Sequence, residues 1–267
     1  MTACTLHLHE WQTGCARIVV GLAMLLMTLA SAQAQDSACA DRDDVLGTSR
    51  ILHVDTSRLR VGRKHFPDTL ALNDKEVVLT FDDGPFPPTT GKILDILKAE
   101  CVRATFFMVG RMAAAAPAIA ERVRAEGHTV AYHTYSHPLL TRLHPDRAMA
   151  EIERGIAAVN AAAYGAAGKQ PEPVLFRFPG FASSPALLAR VAAHGFVVFG
   201  ADLWASDWNR MTPQAELRQV MGRLAKSGGG ILLMHDTKRQ TAAMLPALLR
   251  RLKTQGFRIV HIVPAGP

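Results

Sequence analysis

The amino-acid sequence predicts an α/β fold, in which parallel strands with outer helices form one closed or nearly closed barrel. Short apolar, β-branched runs alternate with stretches of helical spacing, a pattern typical of a parallel sheet. No repeat and no Pro/Ser-rich linker divides the 267 residues, which indicates a single domain. Polar residues follow successive strands, and such strand ends converge on one rim of a barrel, whereas an open sheet spreads them along an edge. These three observations favour the barrel over an open doubly wound sheet.

Seven apolar runs are predicted to be strands. The run VVLTF at 77–81 is short and rich in β-branched residues, which is typical of a buried strand. The run ATFFMV at 104–109 has the same character, and TVAY at 129–132 is a briefer version. The remaining strands are predicted at 175–178, 196–201, 231–234 and 257–263. The polar residues that follow strands are Asp82, Asp83, His133, Arg177, Asp207 and His235.

Helical spacing of apolar residues predicts helices between these strands. Pro145 marks the start of the helix at 146–164, because proline suits the first helical turn. The other helices are predicted at 93–100, 113–126, 185–194, 213–226 and 241–254. Residues 35–72 show little periodicity, so we expect an irregular lead-in before a domain at 73–267.

The composition is that of an ordinary globular protein, with 49% hydrophobic and 20% charged residues. The formal net charge of +7 would suit an acidic partner. However, the lysines and arginines are scattered, and the sequence contains no nucleic-acid-binding motif. We therefore interpret the basic residues as solvated surface and expect no nucleic-acid partner. The sequence does not indicate an oligomeric state.

The first 34 residues are predicted to be a secretory signal peptide. An arginine precedes the apolar run within 17–30, and Ala32 and Ala34 form the A-x-A pattern of a cleavage site. The apolar run is shorter than the roughly 20 residues that span a bilayer, and a short membrane anchor is the less favoured alternative. We expect an exported protein, periplasmic or extracellular, with no membrane span after cleavage.

Cleavage after Ala34 would leave two of the four cysteines, Cys39 and Cys101. In an oxidising compartment they could pair across the long intervening segment, which would stabilise the fold by up to ~4 kcal/mol. Two unpaired thiols are an equal alternative, and the sequence leaves the choice open.

Two histidines and two aspartates form a candidate metal site. His133 and His137 stand four residues apart in HTYSH, and on a helical turn such side chains share one face and can bind one ion. Asp82 and Asp83 end the first strand in DDGP, and one of them supplies the third ligand. The other carboxylate is then free to act as a base on water. An isolated HxxxH is weak evidence, but its combination with a strand-ending DDGP is much stronger.

Five ordered motifs carry a family resemblance. TFDDGP, HTYSHP, RFPG, DLWASDW and LLMHD occur in the order and at the spacing seen in the NodB-homology polysaccharide deacetylases, which form carbohydrate esterase family 4. The resemblance covers residues 76–263. It implies a distorted (β/α)7 barrel, which agrees with the predicted strand count. It also implies a divalent metal, usually zinc and sometimes cobalt.

The resemblance assigns roles to the residues around the metal. Asp82 is similar to the general base of the family. Asp83 is similar to the metal ligand that acts together with His133 and His137. Arg177 resembles the arginine that pairs with the base and keeps it ionised. The two adjacent carboxylates can then both stay charged, because the metal neutralises one and the arginine the other.

The resemblance also assigns the acid and the substrate wall. His235 looks like the general acid, and Asp207 like the aspartate that orients it. Trp208 resembles the aromatic wall of the sugar groove, which suits its polar sequence setting. Leu233 resembles the leucine that lines the pocket for the acetyl methyl group.

One motif departs from the family pattern. The family usually has an aromatic residue and then glycine after the proline, but here Gly180 precedes Phe181. The backbone N–H after the proline normally helps to bind the oxyanion, and Gly180 can still donate it with more backbone freedom. We expect both residues to contact substrate, and the inversion bears on substrate preference more than on the chemistry.

The expected activity is the hydrolysis of N-acetyl groups on a GlcNAc-containing polymer, releasing acetate. Peptidoglycan, chitin oligomers and poly-GlcNAc are left open as substrates. The alternatives are an O-acetyl esterase acting on xylan, a non-catalytic carbohydrate-binding barrel, and a hydrolase of small cyclic amides. An intact set of base, acid and metal ligands counts against the binding protein. The signal peptide and Trp208 favour a polymer outside the cytoplasm.

Overall fold

Parallel pairing joins ten strands into one sheet. The computed structural model describes residues 39, 42–165, 168 and 171–266, and the predicted signal peptide lies outside this range. The strands are β1 Thr48–Val54, β2 Arg60–Val61, β3 Glu76–Asp82, β4 Thr105–Met108, β5 Thr129–Tyr132, β6 Leu175–Phe176, β7 Val197–Phe199, β8 Leu203–Trp204, β9 Gly230–His235 and β10 Arg258–Pro264.

Helices follow most of the strands, and five of them begin with a proline that fixes the first helical residue. They are α1 Pro87–Ala99, α2 Gly110–Ala115, α3 Pro117–Ala125, α4 Pro145–Tyr164, α5 Pro185–Ala193, α6 Pro213–Ser227 and α7 Arg239–Thr254. The single helix predicted at 113–126 is therefore wrong. Its residues fall into α2 and α3, because Pro117 ends one helix and begins the next.

The strand order around the site is β8-β9-β3-β4-β5-β6-β7, a ring of seven strands. Within the described residues no strand pairing links β7 to β8, so the ring is open at that point. β10 pairs with the first residues of β3, and β1 continues the sheet beyond β10. The predicted parallel α/β barrel with outer helices is confirmed.

The lead-in at 35–72 is not irregular throughout, as the sequence analysis expected. It contains β1, which pairs with β10, and β2, which pairs with β7. Arg50 on β1 donates from both Nε and Nη2 to the buried carboxylate of Glu76, at 2.9 and 2.7 Å. This bidentate pair attaches β1 to the start of β3, and it lowers the pKa of Glu76 to about 2.

Alternation along β3 decides which side chains reach the barrel interior. Val77, Leu79 and Phe81 belong to the apolar cluster shared with the helices, whereas Val78 belongs to an inner cluster. The inner cluster also draws residues from most of the other ring strands, among them Phe107, Ala131, Leu175, Val197 and Ile231. Asp82 therefore lies on the inward face of β3, above this apolar layer. No helix among the described residues is both long and apolar enough to cross a bilayer.

Candidate metal centre and catalytic cavity

A cavity of about 380 Å³ opens at the carboxyl ends of the strands. Nine of the eleven predicted site residues line it: Asp82, Asp83, His133, His137, Gly180, Phe181, Trp208, Leu233 and His235. Arg177 and Asp207 lie behind the lining residues. Arg177 contacts Asp82, and Asp207 contacts His235. The two further lining residues are Phe178 and Trp204. The strand ends converge as the barrel argument predicted.

Consecutive aspartates face the same cavity because the backbone turns between them. Side chains alternate along a strand, so Asp82 and a continued Asp83 would point to opposite faces. Asp83 instead has φ 79°, in the left-handed region that few non-glycine residues adopt. Gly84 completes the turn against Asp236, the residue after β9, where a Cβ would lie 1.9 Å from Asp236 Oδ2. This glycine is therefore required by the buried aspartate beneath it.

Asp82 is paired with a completely buried arginine. Nη1 of Arg177 donates to Asp82 Oδ1 at 2.6 Å and to Thr80 Oγ1 at 3.0 Å. Its Nε and Nη2 donate to the carbonyls of Phe199 and Gly200, at 3.2 and 2.9 Å. The guanidinium is thus held from several sides, and it supplies the positive charge that a buried carboxylate needs.

Asp83, His133 and His137 present three ligand atoms that lie within 4.8 Å of one another. Asp83 Oδ1 is 3.2 Å from His137 Nε2 and 3.7 Å from His133 Nε2. This oxygen is buried and has no hydrogen-bond partner in the protein. Nδ1 of His133 lies 2.7 Å from the Arg177 carbonyl oxygen, and a carbonyl can only accept, so the ring donates there. Its Nε2, 3.7 Å from Asp83 Oδ1, then carries the lone pair that metal ligation requires.

The electrostatics of this trio favour a bound cation. Burial raises the pKa of the Asp83 carboxyl, but His137, His133 and His235 outweigh it and hold that pKa well below its usual range. Burial also lowers the pKa of His133, which keeps its imidazole neutral. A charged carboxylate and a neutral imidazole are the forms that bind metal. The donor set of two nitrogens and one oxygen fits a divalent ion such as zinc.

The segment HTYSH is a loop, and the predicted helical turn is wrong. Thr134 and His137 both have φ 65°, which is incompatible with a helix. Glu151 on α4 holds the loop: its two carboxylate oxygens accept from the N–H and the hydroxyl of Ser136, each at 3.0 Å. At Gly155 on α4 a Cβ would lie 2.4 Å from the carbonyl carbon of Thr134, so only glycine lets the loop approach.

His235 and Asp207 form the second pair. Asp207 Oδ1 lies 2.7 Å from His235 Nδ1, and Oδ2 accepts from the His235 backbone N–H at 2.7 Å. Burial lowers the pKa of His235, but the hydrogen bond and charge of Asp207 reverse this and raise it to about 9. Asp207 therefore favours the protonated imidazole of His235, whose Nε2 lies on the cavity side, 3.9 Å from Asp83 Oδ2. This is the protonation state of a general acid.

Aromatic rings form one wall of the cavity. Trp208 is 49% exposed and lies edge-on to His235, with ring centroids 6.0 Å apart. Phe181 stacks on His65, with ring centroids 3.7 Å apart and planes 19° apart. Lys64 lies 5.3 Å from the centroid of Trp204. Trp204 connects the two predicted substrate residues, since its ring centroid lies 6.3 Å from that of Phe181 and 5.7 Å from that of Trp208. Sequence reasoning missed Lys64 and His65, because both belong to the lead-in.

Gly180 and Phe181 both adopt left-handed backbone conformations, with φ 56° and 55°. They form a tight turn over Pro179–Phe181 at the cavity edge, and not a regular helical turn. The inverted order therefore places a strained non-glycine residue where its ring can stack on His65.

Comparisons with known proteins agree with this geometry. A model of the polysaccharide deacetylase family matches residues 70–199. A chitooligosaccharide deacetylase from Rhizobium leguminosarum is 32% identical over 206 residues, which cover 72% of this chain and 92% of that protein. The chain belongs to the polysaccharide deacetylase family. The family resemblance seen in the sequence is thereby confirmed.

Two further relatives of this deacetylase-family chain are longer than it is. A peptidoglycan-N-acetylglucosamine deacetylase from Listeria monocytogenes is 29% identical over 209 residues, covering 76% of this chain and 42% of that protein. The structure of a Bdellovibrio bacteriovorus peptidoglycan deacetylase superposes with a TM-score of 0.74 at 30% identity, covering 85% of this chain and 62% of that one. The chain thus spans less than two thirds of either relative.

Proposed function

We propose that this protein is an exported, metal-dependent hydrolase that removes N-acetyl groups from a GlcNAc-containing polysaccharide. The observation that carries the proposal is the set of groups that one cavity brings together. Beside the ligand trio Asp83, His133 and His137 lie a carboxylate paired with an arginine, Asp82, and an imidazole paired with an aspartate, His235. A base and an acid beside a metal site suit the hydrolysis of an amide.

The ligand trio would hold the metal, with zinc as the expected ion and cobalt as an alternative. Asp83, His133 and His137 provide three protein ligands, as in hydrolytic sites that keep a position open for water or substrate. A divalent ion bound there supplies Lewis-acid chemistry, which polarises a carbonyl and makes water more acidic. The unpartnered, buried Asp83 oxygen supports this assignment.

The side chains of the protein would move the protons. Asp82 accepts the proton of the attacking water, and Arg177 compensates the charge of the base before the reaction. His235 donates its proton to the nitrogen as the carbon–nitrogen bond breaks, so that a neutral amine and acetic acid leave. The acetic acid then ionises to acetate, and Asp82 and His235 return to their starting states by exchanging protons with solvent. Asp207 stabilises the protonated imidazole and aligns its Nδ1–H. Leu233 is buried at the cavity floor, where it can contact the acetyl methyl group.

The exposed aromatic wall supports a sugar polymer as the substrate. Trp208 presents a large, half-exposed ring beside the acid, and such rings stack on sugar faces. The relatives named above carry peptidoglycan and chitooligosaccharide deacetylase names, and both of those substrates contain N-acetylglucosamine. We place peptidoglycan and chitin oligomers ahead of poly-GlcNAc on this basis.

Export is proposed from the N-terminal pattern together with the cysteines. Cys39 and Cys101 are each disulfide-bonded. Structural disulfides form and persist in oxidising compartments such as the periplasm and the extracellular space. Residues 1–34 would be the segment that directs export.

The proposal is tested by measuring acetate release from peptidoglycan, chitin oligomers and acetylated xylan. The purified protein is assayed as isolated, after chelation, and after zinc or cobalt is added back. We expect release from the first two substrates, loss of release on chelation, and recovery on adding metal. Release from xylan alone would replace the amide hydrolase with an ester hydrolase. No release from any substrate, with metal bound, would favour a carbohydrate-binding barrel.

A further inference from the structure

A single threonine hydroxyl lies between two buried carboxylates behind His235. Thr241 Oγ1 on α7 is 2.8 Å from Asp207 Oδ2 and 2.9 Å from Glu216 Oε1. Thr241 and Glu216 have no exposed surface, and Asp207 is 1% exposed. Both distances are those of O–H···O hydrogen bonds.

The number of protons available along these contacts decides which of the two carboxylates is ionised. A hydroxyl has one hydrogen, so Thr241 can donate to only one of the two carboxylates. Asp207 already faces the His235 backbone N–H and Nδ1, each at 2.7 Å, which makes it the ionised acceptor. The contact between Thr241 and Glu216 then needs a proton on Glu216, since two oxygens without a hydrogen between them repel each other.

The surroundings of Glu216 favour the same state. Its second oxygen, Oε2, has no hydrogen-bond partner in the protein. Burial raises the pKa of Glu216 to about 7; the charge of Asp207 acts in the same direction, whereas the Thr241 hydrogen bond and His235 act against it. Glu216 lies in the first turn of α6, whose helix dipole favours the anion, but this effect is weaker than the cost of burying an unpaired charge.

We propose that Glu216 is a positioning residue of the deacetylase reaction: as a neutral acid it donates to Thr241 and commits the threonine hydroxyl to Asp207. The chain Glu216–Thr241–Asp207–His235 then has one proton at each contact. Asp207 stays aligned with Nδ1, and Nε2 of His235 stays directed into the cavity. The effect on catalysis rests on the proposed function, whereas the protonation state of Glu216 does not depend on it.

The test compares Glu216→Gln with Glu216→Leu in the full protein. Glutamine keeps a neutral donor for Thr241, whereas leucine fills the space without one. We expect kcat of the glutamine variant to stay within about 3-fold of the unaltered protein, and kcat of the leucine variant to fall about 10- to 100-fold with KM little changed. Glu153→Gln, an exposed position on α4, is the matched control, and thermal unfolding shows whether each variant is folded.

Infrared difference spectra at pH 6 supply a readout that does not need activity. The unaltered protein should show a carboxylic-acid C=O band that Glu216→Gln lacks. Asp236 is also buried, and burial raises its pKa to about 7. Its band should appear in both proteins, so the difference spectrum contains only the band of Glu216. Full kcat in Glu216→Leu, or no band lost in Glu216→Gln, would overturn the proposal. If the unaltered protein releases no acetate, the proposed function fails, while the infrared band still decides the state of Glu216.

Discussion

At the scale of single residues, the positive φ of Asp83 determines how the site is built. It brings two consecutive carboxylates to one cavity, and each then meets its own positive partner. Arg177 contacts Asp82, and the two histidines flank Asp83. The pair therefore need not share one proton, as close carboxylates otherwise do.

Replacing Asp82 by asparagine should separate proton transfer from metal binding. The amide has nearly the same shape but cannot accept a proton from water, so we expect kcat to fall by about 10²–10⁴. The ligand trio is unchanged, so zinc stoichiometry should stay that of the unaltered protein. Steady-state kinetics and metal analysis measure both quantities. Asp43→Asn, at an exposed position, is the control, and an Asp82→Asn protein with full kcat would disprove the base assignment.

The pH dependence of kcat should report the pair of His235 and Asp207. Burial lowers the pKa of His235, but Asp207 raises it to about 9, so the acid form persists above neutral pH. The alkaline limb of the activity profile should therefore lie above pH 7, where His235 loses its proton. In Asp207→Asn, burial is no longer opposed by that charge, so the alkaline limb should move at least ~1 unit lower. An alkaline limb at the same pH in both proteins would contradict the assignment.

At the scale of elements, the loop at 133–137 brings its two histidines together as the sequence predicted, but not through the helical turn that was expected. The i, i+4 spacing of His133 and His137 predicted their proximity, but the residues between them form a loop with left-handed turns. The loop is shaped by Glu151 and Gly155, which are four residues apart on α4. Glu151 could not be found from the sequence, because a glutamate on a helix is most often a solvated surface residue.

Removing the Glu151 carboxylate should weaken metal binding without touching a ligand. Glu151→Ala leaves the N–H and hydroxyl of Ser136 without their acceptors, so His137 loses its support. We expect zinc affinity to fall about 10- to 100-fold, the usual effect of removing a group that orients a ligand. Competition with a chelating dye measures the affinity. Glu153→Ala, an exposed glutamate on the same helix, should bind zinc normally, and equal affinity in both variants would refute the role of Glu151.

Short elements were the other part that the sequence could not reveal. β2 and β8 have two residues each, too few for an alternating pattern to be recognised. β1 has seven residues, but it exposes every second one and carries polar side chains such as Arg50 and His53, so its composition resembles a loop. Pairing with β10, about 210 residues later in the chain, is what makes it a strand.

At the scale of the whole molecule, the long apolar runs and the motifs at their ends were sufficient for the fold class. All seven predicted strands exist, because each is a buried run whose period and length are diagnostic. The parallel barrel then brings their polar ends together, and nine predicted site residues line one cavity. The catalytic roles of those residues stay predictions.

The opposite end of the barrel holds a second buried polar group, built around two histidines. His128 precedes β5, and its Nδ1 accepts from the Ala104 N–H at 3.2 Å. His261 on β10 has its Nε2 2.9 Å from the hydroxyl of Thr129. Burial lowers the pKa of His128 to about 3, and the charges of Arg103 and Arg122 act in the same direction. Burial and the charge of Arg103 lower the pKa of His261 to about 4.

These two histidines should make the fold sensitive to mild acid, independently of the catalytic cavity. Their folded-state pKa values lie below the unfolded value of 6.5, so the unfolded chain binds more protons as pH falls. Each histidine should therefore cost about 1.4 kcal/mol of unfolding free energy per pH unit between pH 6 and pH 4. Urea unfolding of the metal-free protein across this range measures the slope. In His128→Asn, the amide oxygen still accepts from the Ala104 N–H, and the slope of unfolding free energy against pH should decrease by about 1.4 kcal/mol per pH unit. His53→Asn, at an exposed position, should leave the slope unchanged. A slope that His128→Asn does not alter would mean that this histidine is already protonated in the folded protein.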